Sequence, residues 1–162
     1  DTIQENLISD RCGAKRLNKG PMFDMKAIHA EVDQLIKDYT VLCKSGNQRV
    51  DNLSGGNIQK VILARELDAD PEILIAAQPT RGVDIGAIES IRSILEDVKE
   101  KGLGVLLISA DLEELLSLSD RIVVMYEGKI SGRMDASEAN EDNLGLLMMG
   151  GHDTTKEEHA HE

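Results

Sequence analysis

Residues 53–60 read Leu53-Ser54-Gly55-Gly56-Asn57-Ile58-Gln59-Lys60 and open a segment with helical patterning. A serine directly before a helix can accept a bond from one of the unpaired amides of the first turn. Two glycines after it leave the main chain open to close approach, and the positive end of the helix with its free N–H groups favours an anion. The chemistry on offer is therefore recognition of a phosphate or similar group. On these four letters alone, an ordinary helix cap is the favoured reading.

Three further segments follow in order. An apolar run Ile73-Leu74-Ile75-Ala76-Ala77 leads into Gln78-Pro79-Thr80-Arg81-Gly82-Val83-Asp84. Leu107-Ile108-Ser109-Ala110-Asp111 comes next, and then Ser119-Asp120-Arg121-Ile122-Val123-Val124-Met125-Tyr126-Glu127-Gly128-Lys129-Ile130.

These pieces need elements to hold them. The first 23 residues start helix-like at Ile3, Leu7 and Ile8 and reach a break at Gly20-Pro21. Asp24 is placed to cap a helix reaching Leu42, with Ile28, Val32, Leu35, Ile36 and Tyr39 on one face. Residues 44–52 form a loop, and a second helix runs from Ser54 to Leu67 before Pro71 forbids continuation. Ile73–Ala77 reads as a strand buried on both faces. Asp84–Lys101 predicts a helix with Ile88, Ile91, Leu95 and Val98 in a stripe, closed by Gly102. Val105–Ile108 is a second buried strand, and Asp111 and Glu114 have capping-box spacing for a helix through Leu118. Ile122–Tyr126 is a third strand, turned at Glu127-Gly128 into a fourth near Lys129–Ser131. Ser137 opens a last helix that Gly150-Gly151 ends. The alternation of strands and helices implies an α/β fold with parallel strands.

Composition bounds the function. The chain has 162 residues, 41% hydrophobic and 30% charged, with a net charge of −12. That suits a globular chain rather than a disordered one. No apolar run approaches the roughly 20 residues of a membrane helix. The opening Asp-Thr-Ile-Gln lacks the features of a signal peptide and reads as a chain cut from something longer. The acidity argues against a nucleic-acid partner, because phosphate backbones need a basic surface. The basic stretch Arg11, Lys15, Arg16 and Lys19 reads as a solvated loop or helix end. Cys12 and Cys43 fit no metal or redox spacing and read as reduced thiols. His152, His159 and His161 lie in a polar tail over 151–162 that reads as disordered and acidic.

In order and spacing, the motifs resemble an ABC ATPase domain from its signature motif to its end, over residues 1–150. The segments LSGGNIQKVILAREL and QPTRGVDIGA are similar to the second cassette of the fused ATPases that drive simple-sugar or nucleoside importers. The resemblance implies a partial P-loop NTPase fold: a mainly parallel sheet with flanking helices and a helical subdomain. It divides the chain into a helical signature subdomain at 1–67, part of the α/β core at 68–150, and the tail. It also implies that Leu53, Ser54, Gly55, Gly56, Asn57 and Gln59 contact ATP held by a partner cassette, while Asp84 couples the two sites across the interface. The resemblance further implies ATP and Mg²⁺ as cofactors of the complete protein, a second cassette, membrane permease subunits and, indirectly, a solute-binding protein as its partners, and a place on the cytoplasmic, inner face of the cell membrane.

The departures from the family pattern matter as much. No G-x-x-x-x-G-K-[S/T] loop occurs, so the strand and loop that cradle phosphates are missing. Ala77 stands where the family has the Asp that anchors Mg²⁺, Gln78 where it has the catalytic Glu, and Ala110 where it has the switch His. Gln78 has nearly the shape of Glu but cannot take a proton at neutral pH. The half-site is degenerate, this chain is not expected to hydrolyse ATP by itself, and the sheet is expected to show a gap, a repair or self-association. Two rivals stay open: an ABC-type ATPase acting on nucleic acid or ribosomes, and a structural or interaction module without nucleotide business.

Overall fold

A computed structural model describes residues 1–151. The expected disordered tail, with its three histidines, lies outside the described residues from His152 onward. The chain divides into two compact units, Asp1–Ile108 and Ser109–Glu162.

The first unit opens with α1 (Ile3–Ile8), held by a complete capping box between Thr2 and Glu5. Two short 3₁₀ turns follow, then a small antiparallel hairpin, β1 (Asn18–Lys19) and β2 (Met22–Phe23). Gly20 makes its turn with φ of +65°. Helix α2 (Met25–Asp38) is capped by Asp24, whose side chain accepts from the amides of Lys26 and Ala27. Helix α3 (Gly55–Leu67) is capped by Ser54. Ile3, Leu7, Leu17, Ile28, Val32, Leu35, Val61 and Ala64 form one buried cluster between these helices. The chain start is tied to the loop before α3: Ile3 N–H donates to Gln48 O at 2.9 Å and Val50 N–H to Asp1 O at 3.1 Å.

Helix α2 stops short of the expected Leu42. Thr40 adopts φ of +51°, and Val41 N–H turns back to Ile36 O at 2.9 Å, which closes the helix end. No glycine announces this stop. A β-branched residue in the left-handed region is strained by about 1–2 kcal/mol. Thr40 is exposed and contributes its backbone carbonyl, not its side chain, to the fold. Thr40→Gly is therefore expected to raise stability by about 0.5–1 kcal/mol, read as a higher urea midpoint at unchanged slope. A lower midpoint would mean the methyl and hydroxyl do more than the backbone shows.

The basic stretch is not simply solvated. The Arg11 side chain is only 9% exposed and pairs with Glu31 at 2.9 Å and with Asp68. Arg16 pairs with Glu31 at 2.9 Å and Asp68 at 3.3 Å. This network joins the turn after α1 to α2 and to the end of α3. The Arg16 hydrogen bond, helped by the nearby charges of Arg16 and Arg11, holds the Glu31 carboxyl below the usual carboxylate range. A carboxyl depressed on folding adds stability at neutral pH, and that stability is lost as pH falls through its folded-state pKa. Glu31→Gln should thus unfold at lower denaturant than the parent chain at pH 7. Below the depressed pKa the two curves should converge, whereas a constant offset down to acid would place Glu31 outside the network.

Strand β3 (Ile73–Ala77), helix α4 (Ile85–Glu100) and strand β4 (Gly104–Ile108) form a βαβ unit with parallel strands, Ile73 opposite Gly104 and Ala77 opposite Ile108. Asp84 caps α4, and Ala87, Ile91 and Leu95 are its buried positions. Gly102, with φ of +92°, follows its end. The expectation of strands buried on both faces fails. Leu74 and Ala76 are buried, but Ile73 and Ile75 are 67% and 65% exposed, and Leu106 and Ile108 are also exposed. A βαβ unit brings one helical layer, which covers one face; continuous burial needs a second layer opposite.

In the second unit, Asp111 caps α5 (Leu112–Leu118) by accepting from Glu114 N–H at 3.1 Å. The reciprocal half of the expected capping box is absent, because Ser109 Oγ accepts the Asp111 N–H and the Glu114 carboxylate is fully buried without a hydrogen bond among the described residues. Strands β5 (Arg121–Tyr126) and β6 (Lys129–Asp135) form an antiparallel hairpin. Its turn residues Glu127 and Gly128 have φ of +47° and +76°, the signs a type I′ turn requires. Helix α6 (Glu141–Met148) starts later than Ser137 predicted, because Asn140 and Asn143 cap it reciprocally. Residues Ala136–Glu138 form only a 3₁₀ turn. Ile122, Val124, Leu144 and Leu147 make this unit's core.

Candidate functional site

Ser54 sits at the tip of α3 in an extended conformation, φ −68° and ψ 157°. Its Oγ accepts from the Asn57 backbone at 3.4 Å and from the Asn57 side-chain Nδ2 at 2.8 Å. Asn57 Oδ1 in turn accepts Leu42 N–H at 2.7 Å. Ser54 and Gly55 are exposed, and no acidic residue occupies the first turn of α3. Among the described residues, the Gly55 and Gly56 amides make no hydrogen bond, as the geometry of a helix start requires. The tip presents donors to solvent and is suited to an anion.

The two glycines do different work. A side chain on Gly55 would meet only Gly82 O at 3.4 Å and Val83 at 3.7 Å. Gly56 is buried, and a Cβ there would stand 2.2 Å from the Cβ of Ala87. Its missing side chain makes room for α4, not for a ligand. The same corner holds Asp84, whose Oδ1 accepts Ala87 N–H at 3.0 Å and whose Oδ2 lies 3.6 Å from where the Gly56 Cβ would be. The structure thus brings Ser54, Gly55, Gly56, Asn57 and Asp84 together at the adjoining starts of two helices. Leu53 packs against the helical core instead. Gln59 lies further along α3, half-buried.

Ala77 ends β3 and is exposed. Gln78 N–H donates to Ile108 O at 2.7 Å, continuing the strand pairing, but its φ of +52° turns the chain sharply out of the strand. Strained backbone of this kind is stored at functional positions more often than elsewhere. Residues 78–84 then fold back through two turns, with Arg81 N–H to Gln78 O at 3.2 Å and Val83 N–H to Thr80 O at 3.4 Å. Ala110 is exposed and lies in the second unit. The residues present do not fit Mg²⁺: Ala77, at the position the family resemblance assigns to metal anchoring, carries only a methyl group, and no cluster of three His, Cys, Asp or Glu suited to a metal ion occurs among the described residues.

Three positions escaped sequence reasoning. Ala87 was legible only as a helix residue, yet it fills the space Gly56 leaves. Lys60 is buried, its ammonium donating to Thr40 O at 3.3 Å. Leu42 is 73% exposed while its amide is anchored on Asn57. The i, i+3 spacing of Asn57 and Lys60 was the one available signal that a single face of α3 clamps the loop after α2.

No protein-family profile matches the chain. Individual relatives do. It is 44% identical over 142 residues to the glucose import ATP-binding protein TsgD13 of Haloferax volcanii, covering 86% of this chain and 26% of that protein. It is 45% identical over 134 residues to the guanosine import ATP-binding protein NupO of Bacillus subtilis, covering 83% of this chain and 25% of that one. The chain is a homologue of sugar and nucleoside import ATP-binding proteins. It spans about a quarter of the length of these import ATP-binding proteins. Among solved structures, the dimeric bacterial ABC transporter cassette MJ0796 matches with a TM-score of 0.69 at 24% identity, over 84% of this chain and 57% of the cassette. The fold is accordingly part of an ABC ATPase cassette. No helix among the described residues is long and apolar enough to cross a membrane.

Proposed function

We propose that this chain forms the C-terminal part of the ATP-binding protein of an ABC importer for a simple sugar or nucleoside. Its role is to present the α3 tip in trans to ATP held by a partner cassette, while its own half-site is degenerate. The observation that carries this reading is the exposed, donor-only tip at Ser54 and Gly55, braced by Asp84 and Ala87. The named functions of the relatives and the dimeric state of the matched cassette support it.

On this reading residues 1–67 act as the signature-bearing subdomain and 68–150 as part of the ATPase core. Ser54, Gly55, Gly56 and Gln59 line the shared site, with Leu53 as its buttress, and Asp84 couples the two sites. Ala77, Gln78 and Ala110 leave the chain's own site without metal anchor, base or switch, so this chain alone does not hydrolyse ATP. Permease subunits and a solute-binding protein complete the machine, which places this chain in the cytoplasm against the membrane.

The test is Ser54→Arg in the complete ATP-binding protein assembled with its permease. A guanidinium at position 54 fills the approach to the tip. Losing an oriented donor to a reacting phosphate costs about 10²–10³-fold, so hydrolysis at the partner site should fall by about 10²-fold. Hydrolysis and uptake at the parent rate would remove the tip from the mechanism and leave a structural module as the better account.

A further inference from the structure

We propose that Asn57 is a positioning residue, which makes the Ser54 hydroxyl an obligatory donor toward phosphate rather than touching the nucleotide itself. This rests on the reading of Ser54 as a phosphate contact.

A hydroxyl has two acceptor lone pairs and one proton. Both acceptor directions of Ser54 Oγ are engaged by Asn57, one by its backbone N–H and one by Nδ2. Only the proton remains, on an exposed group at a helix tip. Such a hydroxyl serves an acceptor such as a phosphate oxygen and has nothing to give a cation or a donor.

The orientation of the Asn57 amide is settled by its other end. Leu42 N–H is a backbone donor and can pair only with oxygen, so Oδ1 must face Leu42 at 2.7 Å and Nδ2 must face Ser54. Leu42 is itself held. Lys60, one turn on along α3, donates to Thr40 O, and Val41 N–H bonds Ile36 O at the end of α2. The relay runs from the end of α2 through Leu42 and Asn57 to the serine proton.

Position 57 therefore needs both an acceptor and a donor at asparagine's reach. Asp keeps the acceptor for Leu42, and so the anchored loop, but removes the donor. The serine proton then turns to the carboxylate and is lost to phosphate. Ala loses both bonds.

The experiment is a double-mutant cycle in the complete ATP-binding protein, reading KM for ATP and kcat at the partner site. Ser54→Ala, Asn57→Ala and Asn57→Asp should each impair the partner site by tenfold or more. In the Ser54→Ala background, Asn57→Ala should change KM and kcat by less than twofold, because its effect passes through the hydroxyl. A purely structural role would instead multiply the two losses. Such multiplied losses overturn the proposal, as does parent-like activity in Asn57→Asp, the variant that preserves the Leu42 bond and hence the fold. Parent-like activity in Ser54→Ala overturns the phosphate contact as well, which separates failure of the underlying reading from failure of this one.

Discussion

On the proposed reading of a degenerate half-site, changing Ala77→Asp, Gln78→Glu and Ala110→His together, in the complete protein with the partner site disabled, is expected to raise single-turnover ATP hydrolysis by about 10²–10⁴-fold, the range a positioned general base supplies. The backbone favours this outcome. Ala77 is exposed at the end of β3, so a carboxylate there displaces nothing. Gln78 is fixed by its bond to Ile108 O and by the turn that follows, and Glu inherits the same main chain with nearly the same volume. Ala110 is exposed directly before the α5 cap. Gln78→Glu alone should recover a smaller part, since metal anchoring and the histidine would still be missing. An unchanged rate in the triple variant would mean that the half-site has lost its geometry as well as its chemistry.

Gly56→Ala should destabilise the fold by about 1–3 kcal/mol, the usual cost of forcing extra carbon into a packed interior. The sign is what makes the experiment informative. In a helix interior, exchanging Gly for Ala ordinarily gains about 0.5–1 kcal/mol. Here the new methyl would stand 2.2 Å from the Ala87 Cβ, against about 3.5–4.0 Å for carbons in contact. Helices α3 and α4 must part or bend, and with them the corner that holds Ser54 beside Asp84. Ala87→Gly in the same chain should return most of the loss. Gly55→Ala is the contrast, because its neighbours leave ordinary contact distances and its stability should stay near that of the parent chain. Equilibrium unfolding of the three single variants and the double one decides the point. Equal stability for Gly56→Ala and Gly55→Ala would remove the close approach of the two helices.

Features announced by local chemistry were legible in the sequence. Asp24, Ser54 and Asp111 each cap the helix they were expected to cap, because a short polar side chain before an apolar stripe has few other uses. Glu127-Gly128 turns the hairpin it predicted, and the strands on either side of α4 are parallel. What was not legible depended on competition or on distant partners. Thr40 ends α2 without a glycine, and Asn140 displaces Ser137 as a cap because Asn143 returns its hydrogen bond. Ile73 and Ile75 are as apolar as any buried strand, and sequence alone carries no record of which layers are present to cover them. At the site, spacing located the tip at Ser54, but the division of labour between Gly55 and Gly56 depends on Ala87, which no local pattern connects to either.

The bridge from Thr2 to Arg49 has a bearing on how the molecule assembles in time. Its two ends are separated by roughly fifty residues, and the entropy of closing such a loop grows with the logarithm of its length. The hairpin at Glu127-Gly128 closes over two residues, an event of about 1–10 µs. Within this segment α1 is made before its partners: α2 supplies part of the cover for its apolar face, but the tie to Arg49 and the packing of α3 come only later. The hairpin in the second unit needs no such delay, so a stretch made later consolidates over a shorter length of chain than one made earlier.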